Sequence, residues 1–174
     1  MKITRIEVTH VDVSAWGDFA SRQDQLRLVT LMSGYPEYQH PLSSWFPKDA
    51  MCVVEVETDS GLVGTGWCED YCGATSVIIN RHLTKLLVGA NPLDRNRLWD
   101  QMFRSTMPYG RKGPAIFAIS AVDIALWDLA GKHFDQPVYE LLGGRVNDSV
   151  SIYASHLHFT NEDEFTREAA EYVR

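Results

Sequence analysis

The sequence predicts an α+β domain, an antiparallel sheet followed by helices, that leads into the first strand and helix of a further βα unit. Apolar and polar residues alternate over residues 2–13 and 50–69, which is typical of half-buried strands. From residue 74 onward, apolar residues recur at steps of three and four, as on helices. Strands followed by helices are the element order of an α+β domain, and 174 residues suffice for one domain with its own core.

Residues 2–13 predict the first strand, and residues 50–69 predict a hairpin. In the hairpin, two alternating runs flank Asp59-Ser60-Gly61, a sequence typical of tight turns. The second run contains Gly64 and Gly66, which predict that another backbone approaches closely at these positions.

The segment between these strands is polar and aromatic. Residues 26–32 are compatible with a further strand, and residues 34–49 predict a long irregular loop. Ordered loops of this length usually carry function. Its residues 40–46, HPLSSWF, place an imidazole, two hydroxyls and an indole where they can cover a polyhydroxylated ligand. The alternative is a lid that packs only on its own domain. The predicted substrate contacts in this loop are His40, Ser43, Ser44 and Trp45.

Three helices are predicted after the hairpin. The first ends at Gly89, a favourable residue for a helix C-terminus, and the second begins after Asp94, which can cap it. The third covers residues 114–133, and Asp123 and Asp128 interrupt its apolar pattern. Buried acids are costly unless they are hydrogen-bonded, so we expect structural bonds from both carboxylates rather than catalysis.

Glu69 and Asp70 follow the hairpin and lack an acidic partner in the sequence. We therefore expect them to serve the hairpin edge. Near the C-terminus, residues 149–155 predict a strand, and a helix follows that Thr160 or Asn161 can cap. This helical pattern reaches the last residue without a stop signal, which favours a fragment of a longer protein.

The formal net charge of −7 argues against a nucleic-acid partner, because phosphate binding needs a basic surface. The three cysteines form no CxxC pair, and their odd number fits reduced thiols. The N-terminus lacks the apolar region of a signal peptide, and no uninterrupted apolar run approaches a membrane span. We therefore expect a cytoplasmic protein without a membrane partner.

Three segments carry a resemblance that spans nearly the whole chain. They are MCVVEVETDSGLVGTGWCED at residues 51–70, AISAVDIALWDLAGKHFDQPVYELLGG at 118–144 and VSIYAS at 150–155. Together they resemble the mandelate racemase/muconate-lactonizing group of the enolase superfamily. Within that group, MSGYPEY, SSWF and PYGRKG are most similar to acid-sugar dehydratases of the L-rhamnonate type. Two residues depart from the pattern: Asp135 stands where the group has glycine, and Leu42 where a carboxylate-binding arginine is expected.

The resemblance implies a division of labour between two domains. Residues 1–130 correspond to an N-terminal capping domain, and residues 131–174 to the start of a (β/α) barrel that is incomplete in this chain. The barrel of such enzymes supplies the base that removes the proton α to a carboxylate, and the acidic ligands of Mg²⁺, which stabilises the ene-diolate. Those residues lie on later barrel strands, so no catalytic residue or metal ligand is assigned to this chain.

Further candidate substrate contacts lie outside the loop. His156 and His158 follow the first barrel strand, at the strand end where barrel active sites are built. Arg111, just before the third helix, can hold a carboxylate through two hydrogen bonds. The alternative for Arg111 is a solvated turn.

Two functions remain open at this level. The first is the N-terminal part of a Mg²⁺-dependent acid-sugar dehydratase, a hydro-lyase of carbohydrate metabolism that acts on a small sugar acid. Its full-length form is expected to be a homo-oligomer, and this chain alone is expected to be inactive. The alternative is a non-catalytic truncated paralogue that binds a sugar acid or pairs with a full-length subunit. Dehydration, racemisation and cycloisomerisation are not distinguished, because the residues that decide between them are not in the chain.

Overall fold

The computed structural model describes residues 1–12, 31–38, 50–153 and 162–172. The chain forms two compact units, Met1–Val13 with Lys48–Arg145, and Ser14–Pro47 with Val146–Arg174. The first unit contains an antiparallel sheet followed by helices, so the predicted α+β class is confirmed. Its elements are β1 (Ile3–Asp12), β2 (Ala50–Thr58), β3 (Val63–Glu69), α1 (Ala74–Ile78), a π-helical turn (Ile79–Leu83), α2 (Thr84–Leu87), α3 (Arg95–Thr106), α4 (Pro114–Phe134) and α5 (Val138–Leu141).

The sheet is a simple meander in the order β1-β2-β3 with antiparallel pairing throughout. At the hairpin turn, the backbone amide of Thr58 donates to the carbonyl of Leu62 at 3.1 Å, and its hydroxyl donates to the same oxygen at 2.9 Å. Gly61 has a φ of 81°, which favours glycine. The predicted hairpin and its turn are therefore confirmed.

The core of the first unit lies between one face of the sheet and α4, which packs mainly on β3. Alternation along β2 places Cys52, Val54 and Val56 on this inner face, where all three are fully buried. Helix α4 is long and apolar enough to cross a membrane, but half of its most apolar window is buried in the protein. Its buried residues instead form part of one core cluster: Ala118, Ile119, Ala121, Val122, Ala125, Leu126 and Leu129.

Two glycines allow the close approach of β3 to α4. A β-carbon at Gly64 would lie 2.1 Å from the carbonyl oxygen of Ala125, and one at Gly66 would lie 2.0 Å from that of Ala121. Both neighbours are helix backbone, which cannot move aside as a side chain can. The predicted backbone approach at these glycines is confirmed.

The first predicted helix is interrupted by the π-helical turn between α1 and α2. Within this turn region, the hydroxyl of Thr84 donates to the carbonyl of Ile79, five residues earlier, at 2.9 Å. The helical stretch ends before Gly89, whose φ of 88° fits the predicted C-terminal role. Gly89 then donates its amide to the carbonyl of Ile3 at 2.8 Å, which ties the helix end to β1.

Asp94 stands before α3 as predicted, but its carboxylate does not cap the helix. Its Oδ1 instead accepts a hydrogen bond from the side-chain amide of Asn91 at 3.2 Å, so the expected mode of capping is wrong. Asp135 ends α4 in the left-handed conformation with φ 52°. Aspartate is one of the few non-glycine residues found there, so it is compatible with a position where the group that the chain resembles has glycine.

The second unit departs from the prediction in two places. Residues 149–153 are not a strand, and Ile152 and Tyr153 are 92% and 87% exposed. A parallel strand needs a hydrogen-bonded neighbour, and every strand in the described ranges belongs to the antiparallel sheet of the first unit. Residues 31–32 begin a 3₁₀ turn, Leu31–Gly34, rather than ending a strand; residues 26–30 lie outside the described part.

The last predicted helix is confirmed as α6 (Glu162–Tyr172), although its proposed caps lie outside the described residues. A second 3₁₀ turn, Pro36–Tyr38, lies within the predicted long loop. The domain division after residue 130 stays a prediction.

Candidate functional site

Arg111 lies in the short connection between α3 and α4, and the backbone of that connection is firmly held. Thr106 ends α3, and its carbonyl accepts the amides of Tyr109 at 3.0 Å and Gly110 at 2.8 Å. Gly113 follows with a φ of 68° and allows α4 to begin at Pro114. The Arg111 side chain is exposed, and within the described ranges it has no hydrogen-bond or ion-pair partner. Its guanidinium is therefore available to an anionic ligand.

Tyr109, two residues before Arg111, is joined to the π-helical turn. Its hydroxyl lies 2.6 Å from Nδ1 of His82, and the two rings are tilted by 50° with centroids 5.7 Å apart. Burial raises the pKa of the Tyr109 hydroxyl. The phenol therefore keeps its proton at neutral pH. It donates to Nδ1 when that nitrogen carries no proton and accepts from it when Nδ1 is protonated, so the tautomer of His82 sets the direction of the bond.

His82 carries no signal that would single it out in the sequence. π-helical turns are found frequently at functional sites, but they depend on a bond pattern that no residue type marks in the sequence. His82 and Tyr109 are 27 residues apart, so only the packing of the helices brings them together. The pair orients the start of the connection that carries Arg111.

A second polar group gathers around Asp70, just after β3. The carboxylate is fully buried, and its Oδ1 accepts the backbone amides of Thr75 at 2.8 Å and Ser76 at 3.3 Å. Its Oδ2 lies 3.2 Å from Nδ1 of His10 on β1. Asp70 thus holds the start of α1 against the sheet. The structural role predicted for this acid at the hairpin edge is confirmed, whereas the contribution of His10 was missed.

Asp128 also has the structural role predicted for it. Its Oδ2 accepts the backbone amide of Thr65 on β3 at 2.8 Å and the ammonium group of Lys132 at 2.6 Å. Lys132 in turn donates to the carbonyl of Val63 at 2.8 Å. These bonds satisfy backbone groups on an edge strand of the sheet, which would otherwise lack partners.

Asp123 is half-buried beside Arg95 and Trp127. The carbon at the centre of the Arg95 guanidinium lies 3.4 Å from the centre of the Trp127 ring, and Nη1 of Arg95 is buried without a partner among the described residues. Burial raises the pKa of the Asp123 carboxyl, while the charge of Arg95 and a hydrogen bond from Trp127 oppose this rise. The contacts are those of a packed helix interface, which agrees with a structural role; the expected bond to backbone is not found among the described contacts of Asp123.

The raised pKa of Asp123 predicts a pH effect on stability. The folded state holds this proton more tightly than the unfolded state, whose carboxyl titrates near pH ~3.9. The stabilising contribution is therefore complete below that pH and is lost as the pH rises through the folded-state pKa. We expect Asp123→Asn, measured by urea unfolding between pH 3 and 7, to gain stability relative to the unsubstituted chain as the pH rises. Asp100→Asn on α3 controls for the loss of one charge, and a constant difference for Asp123→Asn would contradict the expectation.

The other predicted contacts, His40, Ser43, Ser44, Trp45, His156 and His158, lie outside the described residues, as does Leu42. They stay predictions, and no geometry connects them to Arg111.

Within the described ranges, no group of three or more His, Cys, Asp or Glu residues can hold a metal ion. The two oxygens of the buried Asp70 are already engaged. The described residues therefore do not fit a Mg²⁺ site.

Comparison with known proteins places the chain in a defined group. Residues 43–143 match the model of the mandelate racemase / muconate lactonizing enzyme N-terminal domain. Over 129 residues, 74% of this chain, it is 43% identical to the L-rhamnonate dehydratase of Saccharopolyspora erythraea, of which it covers 33%. The chain spans about a third of the length of the curated relatives it matches.

Solved structures show the same similarity. The L-rhamnonate dehydratase of Gibberella zeae has a TM-score of 0.71 and 33% identity over 84% of this chain and 35% of its own. A structure of the Gibberella zeae enzyme complexed with Mg gives a TM-score of 0.72 and 31% identity over 84% of this chain and 37% of its own. An enolase superfamily member from Polaromonas sp. JS666 has a TM-score of 0.72 and 26% identity over 99% of this chain and 42% of its own.

Proposed function

Because the chain belongs to the mandelate racemase / muconate lactonizing enzyme family, we propose that it is the capping part of a Mg²⁺-dependent sugar-acid dehydratase. The observation that carries this proposal is the 43% identity to an L-rhamnonate dehydratase over 129 residues. A sugar acid similar to L-rhamnonate is the proposed substrate. The cytoplasmic location and the homo-oligomeric state of the full-length protein stay predictions.

The chemistry of the proposed reaction explains why this chain alone is expected to be inactive. Dehydration removes the proton α to the carboxylate and the hydroxyl on the β carbon, and together these leave as water. Bound Mg²⁺ would supply charge stabilisation for the ene-diolate formed on the substrate. The described residues do not fit a Mg²⁺ site, so their proposed contribution is to bind and enclose the substrate.

Arg111 is the described residue that we propose for substrate binding. Its guanidinium is exposed and unpartnered within the described ranges, and it projects from a connection whose backbone is fixed at both ends. A guanidinium matches a carboxylate in shape and charge and can donate two parallel hydrogen bonds to it. The Tyr109–His82 contact supports this assignment, because it orders the connection just before Arg111.

The test is an assay of the complete open reading frame that contains these 174 residues, purified and supplied with L-rhamnonate and a panel of other sugar acids. We expect dehydration of at least one sugar acid with Mg²⁺ and none after chelation. Arg111→Ala is expected to raise KM by about 10- to 100-fold, because hydrogen bonds to a charged group contribute about 1.5–3 kcal/mol.

Lys112→Ala is the matched control, since Lys112 is the exposed cation next in sequence, and its KM is expected to stay within a factor of about two. No turnover of any sugar acid by a folded, Mg²⁺-supplied protein would overturn the proposed function. Turnover with an unchanged KM for Arg111→Ala would retain the function and remove Arg111 from the binding site.

A further inference from the structure

Two buried thiols face each other across the β2–β3 hairpin. Cys52 and Cys68 are direct partners in the antiparallel register, and their Sγ atoms are 3.4 Å apart. Cys52 is fully buried and Cys68 is 8% exposed. The third cysteine, Cys72, is exposed and free. The function proposed above makes no use of the buried pair.

The backbone at this pair suits a disulfide. Directly opposite residues of antiparallel strands have Cα atoms about 4.5–5.5 Å apart. Cysteines in disulfides have Cα atoms about 4.4–6.8 Å apart. Bond formation at Cys52 and Cys68 therefore requires the two sulfur atoms to approach each other, without a rearrangement of the strands.

A metal site is not the better interpretation of these thiols. No group of three metal-ligating side chains forms in the described part of the chain. His10, the register partner of Cys52 on β1, already contacts Asp70, and Asp70 also accepts two backbone amides. The reaction that suits this pair is therefore oxidation of the two thiols to a disulfide.

The contact between the thiols makes them unequal. A hydrogen bond with Cys68 lowers the pKa of Cys52. The same bond raises the pKa of Cys68, and burial and the negative charges of Cys52 and Asp70 raise it further. Cys52 therefore ionises first, and the thiolate is the reactive form of a cysteine.

We propose that Cys52 and Cys68 form a two-electron oxidation site that a hydroperoxide converts into an intramolecular disulfide. The Cys52 thiolate attacks one peroxide oxygen, the O–O bond breaks, and the hydroxide that leaves takes up a proton to become water. The Cys68 sulfur then attacks the resulting sulfenic acid and loses its proton, and the displaced hydroxide leaves as a second water. In sum, two thiols and one hydrogen peroxide give one disulfide and two waters. Because both sulfurs are buried, the reaction is slower than oxidation of the exposed Cys72.

The test uses the 174-residue chain with Cys72→Ser, which removes the exposed thiol and leaves the pair. The folded chain is treated with hydrogen peroxide, quenched with catalase, unfolded and alkylated, and then analysed by intact mass and peptide mapping. We expect both thiols to be lost together, a peptide linking Cys52 to Cys68, and full recovery with dithiothreitol. The oxidised chain is also expected to unfold at a higher temperature than the reduced chain, since the bond restricts the unfolded state.

The control variant carries Cys68→Ala in addition to Cys72→Ser, and its Cys52 is expected to give a dimedone-reactive sulfenic acid but no intramolecular link. Two thiols that remain alkylatable in the Cys72→Ser chain after prolonged treatment would overturn the proposal. Sulfinic or sulfonic acid without a cross-link, or a disulfide only between two chains, would overturn it equally.

Discussion

Gly66→Ala is expected to lower the free energy of unfolding of the 174-residue chain by about 3 kcal/mol, at the upper end of the cost of overpacking. The added β-carbon would lie 2.0 Å from the carbonyl oxygen of Ala121 and 2.8 Å from the amide nitrogen of Ala125. Both atoms belong to the backbone of α4, so the whole helix must move away from β3. Domains of this kind are stable by about 5–15 kcal/mol, so the loss is a large fraction of the total.

Urea unfolding measures this loss as a lower midpoint at an unchanged slope. Gly34→Ala is the matched control, because a β-carbon added at Gly34 would have no atom within 4 Å and the residue has no positive φ. We expect that control to change the free energy of unfolding by less than about 0.5 kcal/mol, as at most surface sites. A Gly66→Ala chain as stable as the control would show that α4 is not held against β3 at this distance.

Asp70→Ala is expected to cost about 3 kcal/mol of unfolding free energy. The carboxylate is fully buried and accepts the amides of Thr75 and Ser76, and hydrogen bonds to charged groups contribute about 1.5–3 kcal/mol each. Its removal leaves the buried Thr75 amide without that acceptor and also breaks the contact with His10. Asp70→Asn keeps one acceptor oxygen and is expected to lose less.

The control for Asp70→Ala is Asp100→Ala. It breaks an exposed ion pair on α3, in which Nε of Arg104 lies 2.8 Å from Oδ2 of Asp100. Such pairs contribute only about 0.2–0.5 kcal/mol. Thermal and urea unfolding of the three variants therefore separate a buried carboxylate that anchors a helix from a surface charge. Equal losses for Asp70→Ala and Asp100→Ala would refute the anchoring role.

The candidate site can be predicted only in part from the sequence. The exposed position of Arg111 just before α4 agrees with the sequence, while its contact with a substrate stays a prediction. The structural role of Asp128 follows from the cost of burying an acid, but its partner Thr65 is 63 residues away and cannot be named from the sequence. His82 gives no signal, since its π-helical turn and its contact with Tyr109 both arise from packing.

The hairpin, the long core helix and the family follow from the amino-acid sequence without any structure, because they depend on periodicity, turn residues and a contiguous motif along the chain. The same reasoning fails for residues 149–153, whose strand-like pattern lacks a neighbouring strand among the described residues. The Cys52–Cys68 pair follows from the register that the hairpin turn sets. Tertiary packing alone decides the pairs His10–Asp70 and His82–Tyr109, which are 60 and 27 residues apart. The physical reason is that strand register and helix packing set these distances, and neither is encoded at any single position.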